Sequence, residues 1–165
     1  MVLGWGNLSR ADDALGPLLI QGLQRALGDS ARDKVEFLED YQLQVEHALD
    51  LVARQHILLV DASASCAAPF EIHSCRPARD ASYTSHALTP EALLQVYVDV
   101  QGCLPPPTTL LAIRGESFEL GASVGEAATH NLAMAVQWAL AWIQERQGDR
   151  VNLATTRASS SSNTN

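Results

Sequence analysis

The feature that most constrains the fold is the opening of the chain, where a strand, a polar loop and a helix follow one another within thirty residues. A short apolar run stops at Gly4, two adjacent carboxylates follow at Asp12 and Asp13, and Gly16-Pro17 then opens a helix. We expect Gly16 near the N-cap and Pro17 at the first helical position, where a missing N–H costs nothing. Because ligands of open α/β sheets bind just past the carboxyl ends of the strands, the two acids fall at a candidate site.

The rest of the chain alternates apolar runs with helical patterns. The continuous apolar run Ile57-Leu58-Leu59-Val60 is typical of a strand that is buried on both faces of a parallel sheet. The pattern predicts an α/β, doubly wound, mainly parallel five-stranded sheet with helices on both faces. Besides the opening pair, strands are predicted at 34–39, 56–60, 70–75 and 109–113, and helices at 45–53 (with Val45, Leu49 and Val52 on one side), 90–102 and 126–145.

Length and composition limit the organisation and the function. With 165 residues, 47% of them hydrophobic, the chain is expected to form a single domain over residues 1–146, followed by a disordered Ser/Asn/Thr-rich tail over 147–165. A net charge of −8 disfavours nucleic acid as a partner. No run approaches the roughly 20 apolar residues of a membrane span, and the three scattered cysteines favour a reducing compartment. These features predict a cytoplasmic protein.

Three side chains are candidates for chemistry. Asp61 directly follows the buried run of the third strand, where an unpaired carboxylate is costly to desolvate. Asp13 lies in the loop after the first strand, and His86 precedes a helix after the fourth strand, at what should be the same end of the sheet. Simpler roles exist for each: Asp13 could stabilise a helix start, Asp61 could accept backbone N–H bonds, and a loop histidine is usually solvated.

Together, two carboxylates and one imidazole form an incomplete metal site with open positions. Imidazole suits nickel and zinc, whereas carboxylates discriminate little among metals. The residue types alone therefore leave the metal undetermined.

The same residues carry a resemblance to a known family. Gly4-x-Gly6-Asn7, followed by Asp12-Asp13-x-x-Gly16-Pro17, resembles the start of the hydrogenase maturation proteases, which trim the C-terminal tail of the large subunit of nickel-iron hydrogenases. The segment Ser85-His86-x-Leu88-Thr89-Pro90 and the loop from Arg114 to Gly121 are also similar to that family. Ala14 departs from the glycine that is common after the acidic pair.

This resemblance implies a function and a set of roles. It implies an endopeptidase in which Asp13, Asp61 and His86 bind nickel that is already seated in the large-subunit precursor, so that nickel comes with the substrate. The segment Asp40-Tyr41-Gln42-Leu43-Gln44, with Glu46-His47-Ala48-Leu49-Asp50, resembles the branch that serves NAD-linked, bidirectional-type hydrogenases. It implies that Gln42 and Gln44 contact the substrate.

Other functions compete with this hypothesis. A nickel-sensing chaperone that binds the large subunit without cutting it stays open, because no dedicated nucleophile is visible. A dinucleotide-binding domain fits poorly, since Ser9 stands where the third glycine of the fingerprint should be and the acids would face the phosphates. A cysteine hydrolase using Cys66 or Cys75 lacks a recognisable nucleophile turn.

Overall fold

The computed structural model describes residues 1–28, 34–79 and 88–160, with side chains described up to residue 147. Its centre is one five-stranded sheet in the order β2-β1-β3-β5-β4, in which β4 alone is antiparallel to its neighbour. The predicted α/β architecture with a mainly parallel sheet is confirmed. The strands are β1 (Val2–Trp5), β2 (Phe37–Asp40), β3 (Ile57–Ser63), β4 (Phe70–Cys75) and β5 (Thr108–Arg114).

Helices cover both faces of the sheet, as predicted. On one face α1 and α4 pack over residues such as Val2, Leu58 and Val60, and on the other α2 and α3 pack over Leu3 and Leu59. Successive residues of β1 and β3 thus point into opposite cores, which is why these strands are apolar without alternation. The helices are α1 (Leu15–Leu27), α2 (His47–Asp50), α3 (Pro90–Gln101) and α4 (Glu126–Ser160).

The start of the first helix differs from the prediction. A 3₁₀ helix, Ala11–Ala14, runs directly into α1, which begins at Leu15 with Ala14 as its N-cap. Gly16 is therefore inside the helix and not at its cap. A Cβ on Gly16 would meet the backbone of Trp5 and the carbonyl oxygen of Val60, so glycine is required there for close packing of α1 on the sheet.

The direction of β4 corrects one step of the sequence argument. Cys75, the last residue of β4, pairs with Thr108, the first residue of β5, so β4 ends at the amino edge of the parallel strands. The expectation that the chain leaves the fourth strand at the edge of Asp13 and Asp61 was therefore wrong. His86 itself lies in residues 80–87, outside the described residues.

Two helix ends carry clear local signals. The Thr89 hydroxyl accepts a hydrogen bond from the Ala92 N–H at 3.2 Å, and Gly102 follows α3 in the left-handed conformation, at the predicted end of this helix. The helix α4 is continuous to Ser160 and does not end near residue 145; Ile143 is its last buried residue among those whose side chains are described, up to residue 147. The domain boundary at 146/147 stays a prediction. Within the described residues, no helix is long and apolar enough to cross a membrane.

Candidate functional site

The loop after β1 brings Asp13 back over the end of that strand. The backbone N–H of Asn7 donates a hydrogen bond to Asp13 Oδ2 at 2.9 Å. Gly6 makes this return possible: its φ is +141°, and a Cβ there would collide with the carbonyl oxygen of Asp13. The glycine-rich turn therefore fixes the position of the second acid of the pair.

Asp61 lies beside this loop because β1 and β3 are adjacent and parallel. β3 continues past Asp61 to Ser63, and Asp61 Oδ1 accepts a hydrogen bond from the Ala62 N–H at 2.8 Å. The pKa of Asp61 is raised to about 7, because burial and then the negative charge of Asp13 outweigh the hydrogen bonds from Ala62 and from the Trp5 side chain. Asp13 is therefore near enough to make ionisation of Asp61 less favourable.

The carboxylates of Asp13 and Asp61 are suited to form part of a binding site for a cation. Two neighbouring carboxylates repel each other when both are ionised, and a divalent cation between them removes this repulsion. In the part of the chain that the structure describes, no cluster of three His, Cys, Asp or Glu side chains could hold a metal. With His86 outside the described residues, the three-ligand set stays a prediction.

Asp12, the first acid of the pair, has a structural role that the sequence did not reveal. Its carboxylate is almost fully buried and accepts backbone N–H bonds from Glu116, Ser117 and Gly125 at 2.7, 3.0 and 2.9 Å. Burial alone would raise the pKa of Asp12, but these three hydrogen bonds outweigh it and lower the pKa. Asp12 therefore anchors the loop after β5 beside Asp13. The adjacency of two acids was the only sequence signal, and it does not say which of them turns inward.

An open groove of about 440 Å³ lies between the turn after β1 and the end of β2, and Asn7, which holds Asp13, is part of its wall. Two of its residues are joined directly, since the Asn7 side-chain amide donates to the Tyr41 hydroxyl at 2.9 Å. Asn7 thus links the Tyr41 segment to Asp13. Gln42 and Gln44 follow Tyr41 and are exposed, so their predicted contact with substrate stays a prediction. The groove is lined by Gly6, Asn7, Leu8, Pro17, Glu39, Asp40 and Tyr41.

His47, which lies in the segment that resembles the NAD-linked branch, orders this same segment. Its Nδ1 accepts the Gln44 N–H at 3.0 Å, so Nε2 carries the hydrogen that points to Asp40 Oδ2 at 3.1 Å. The buried imidazole thereby holds the end of β2 to the start of α2. No local sequence pattern predicts the contact between Asp40 and His47, because the two residues belong to different elements, β2 and α2.

The other candidate features of the sequence have structural roles. Cys66 is buried, and its thiol donates a hydrogen bond to the Ala112 carbonyl oxygen at 3.4 Å. Burial and the neighbouring Glu91 together raise the pKa of Cys75 to about 12, so this thiol stays protonated and is a poor nucleophile. A second cavity, of about 120 Å³, lies at the opposite edge of the sheet near His56 and Trp142 and contains neither Asp13 nor Asp61.

Solved structures share this fold. The chain is 24% identical to the hydrogenase maturating endopeptidase HybD from E. coli, with a TM-score of 0.67 over 88% of this chain and 91% of that one. It is 17% identical to the [NiFe] hydrogenase maturation protease HycI from Thermococcus kodakarensis (TM-score 0.63, 87% and 90% covered) and 22% identical to an endopeptidase from Escherichia coli (TM-score 0.66, 88% and 93% covered). No family model and no curated protein matches the chain. At these identities the likeness shows a common fold.

Proposed function

We propose that this chain is an endopeptidase that removes the C-terminal extension of the precursor of a nickel-iron hydrogenase large subunit. The observation that carries the proposal is the electrostatically coupled pair Asp13 and Asp61 at the carboxyl edge of the sheet. The fold that presents this pair is shared with structures named as hydrogenase maturation endopeptidases. Its place of action would be the cytoplasm.

In this proposal the nickel belongs to the substrate. Asp13, Asp61 and His86 would complete the coordination of nickel that the precursor already holds, and cleavage would then report that the metal has been loaded. A metal so placed can polarise the scissile carbonyl or lower the pKa of a bound water. The role of the chain is to hold two carboxylates in place, through Asn7 for Asp13 and through Ala62 and Trp5 for Asp61.

The test is the size of the large subunit after incubation with the purified protein. Nickel-loaded precursor should lose its C-terminal extension, measured by intact-protein mass spectrometry, and Asp13→Asn should reduce the rate by at least ~100-fold, the scale expected when one group of a preorganised site is lost. Glu119→Gln serves as a control, because Glu119 is an exposed acid of a neighbouring loop. Stable binding without any mass change would support the nickel-sensing chaperone instead.

The segment from Asp40 to Gln44 should influence which precursor is cut. It borders the groove and is tied to the site through Tyr41 and Asn7. We therefore expect the chain to process the precursor of an NAD-linked hydrogenase and to leave a membrane-bound type uncut. Replacing residues 41–44 by the corresponding loop of a protease for the membrane-bound type should shift the ratio of the two kcat/KM values towards that substrate. Equal cleavage of both precursors by the unmodified protein would refute the branch assignment and leave the protease assignment standing.

A further inference from the structure

The segment around α2 exposes an unusual amount of apolar surface. The side chains of Val45 and Leu49 are 52% and 61% exposed, while their neighbours Ala48 and Leu51 are buried and hold the segment on the core. The apolar side predicted for this helix therefore faces solvent. Single exposed apolar residues are normal, but clustered ones mark interaction sites. We call Leu8, Tyr41, Val45 and Leu49, all more than half exposed, the α2 surface.

The α2 surface shares two residues with the open groove beside the candidate site. Leu8 and Tyr41 both line the open groove, and Val45 and Leu49 follow Tyr41 at intervals of four residues. The Tyr41 hydroxyl is bonded to Asn7, whose backbone N–H is bonded to Asp13. A protein that lies on this surface therefore also covers the groove whose wall residue Asn7 holds Asp13.

The charges around the surface define the chemistry of what covers it. Residues 39–50 contain the acids Glu39, Asp40, Glu46 and Asp50 and no lysine or arginine. A second copy of this chain would place these carboxylates against their own counterparts, which is unfavourable. A complementary partner presents an apolar patch that is bordered by lysine or arginine side chains.

We infer that the α2 surface docks the folded body of the large-subunit precursor, through an apolar patch on the precursor that is bordered by basic residues. The inference rests on the proposed function and adds a second contact to it. The carboxylate pair acts on the nickel and the scissile segment, whereas the α2 surface binds the precursor away from the cut. Affinity and chemistry are then separable by mutation.

The experiment compares two exposed leucines. Leu49→Gln should raise KM for the nickel-loaded precursor of an NAD-linked hydrogenase by roughly 10-fold, the effect of losing one well-packed interface side chain, with kcat and Tm unchanged. Leu104→Gln is the matched control, because Leu104 is 79% exposed. It lies three residues before Pro107, whose carbonyl oxygen accepts a hydrogen bond from the N–H of Ile57 at the start of β3, at the opposite edge of the sheet. Its KM should equal that of the unmodified protein. Glu46→Gln should weaken the dependence of kcat/KM on salt.

Each outcome is decisive. An unchanged KM for Leu49→Gln, or an equal rise for Leu104→Gln, would overturn the docking surface while cleavage by the unmodified protein keeps the proposed function. A dimer in sedimentation analysis that Leu49→Gln dissociates would assign the surface to self-association and overturn the inference. Failure of the unmodified protein to bind or cut the precursor would overturn the proposed function and this inference together.

Discussion

Asp61→Asn is expected to abolish cleavage and, at the same time, to stabilise the folded protein above pH 7 by roughly 3 kcal/mol. The pKa of Asp61 rises from 3.8 to about 7 on folding. Such a shift corresponds to about 4 kcal/mol at most, and partial exposure of the side chain reduces it. A raised acid pKa contributes stability that is fully present below pH 3.8 and is lost as the pH rises through about 7. Asparagine stays neutral throughout and keeps an oxygen for the Ala62 N–H.

Urea denaturation at pH 4 and pH 8 measures this effect. The free energies of unfolding of Asp61→Asn and of the unmodified protein should agree at the lower pH and diverge at the higher one, while Glu119→Gln should follow the unmodified protein at both. A loss of stability of Asp61→Asn at pH 8 would show that the ionised carboxylate is well satisfied, and the argument from burial would fail. A cleavage rate that rises through about pH 7 would agree with an Asp61 that acts when ionised.

The combination of these two effects is informative about the site. Residues selected only for stability lower the free energy of the folded state, whereas a functional residue is often held at a cost to stability. Asp61 is surrounded by Trp5, Ala62 and Asp13, and the last of these makes its ionisation less favourable. A neutral residue at position 61 is expected to make the folded protein more stable. Such a cost to stability is expected of a functional residue, which agrees with the role proposed for Asp61.

Much of the architecture followed from local patterns in the sequence. The uninterrupted run from Ile57 to Val60 required burial on both faces of a sheet, and Thr89-Pro90 required a helix start, because each is determined by residues within one element. The direction of β4 was not available in this way. Its pairing with β5 depends on residues 33 positions or more apart, since Phe70 lies opposite Ile113 and Cys75 opposite Thr108.

The site was less predictable than the fold for the same reason. The sequence placed Asp12 and Asp13 beside the sheet, but their division of roles depends on the Glu116–Gly125 backbone, more than a hundred residues away. Likewise, Val45 and Leu49 have the spacing of a core-facing stripe, yet Ala48 and Leu51 form the buried side. Periodicity identifies an amphipathic segment without saying which of two apolar sides the core takes.

The largest expected effect concerns the metal: the protein should cleave only precursor that already contains nickel. In the proposed site Asp13 and Asp61 would supply two oxygen ligands, and even with His86 the set would have three donors and no thiolate. Metal affinity depends on the number, type and geometry of ligands, so such a set should bind nickel weakly by itself. Within the precursor, nickel would have ligands from the large subunit, and this chain would only complete its coordination.

Two measurements test this dependence. The purified protein should contain far less than one nickel per chain by elemental analysis, and metal-free precursor should be cut at least ~100-fold more slowly than loaded precursor, as expected when the group that stabilises the transition state is missing. His86→Ala should reproduce that loss on loaded precursor with an unchanged Tm, whereas His130→Ala, which alters an exposed histidine of α4, should have no effect. Equal rates on loaded and metal-free precursor would mean that the two carboxylates act on the peptide bond without nickel. Asp61, with its pKa near 7, would then be the first candidate for a general base.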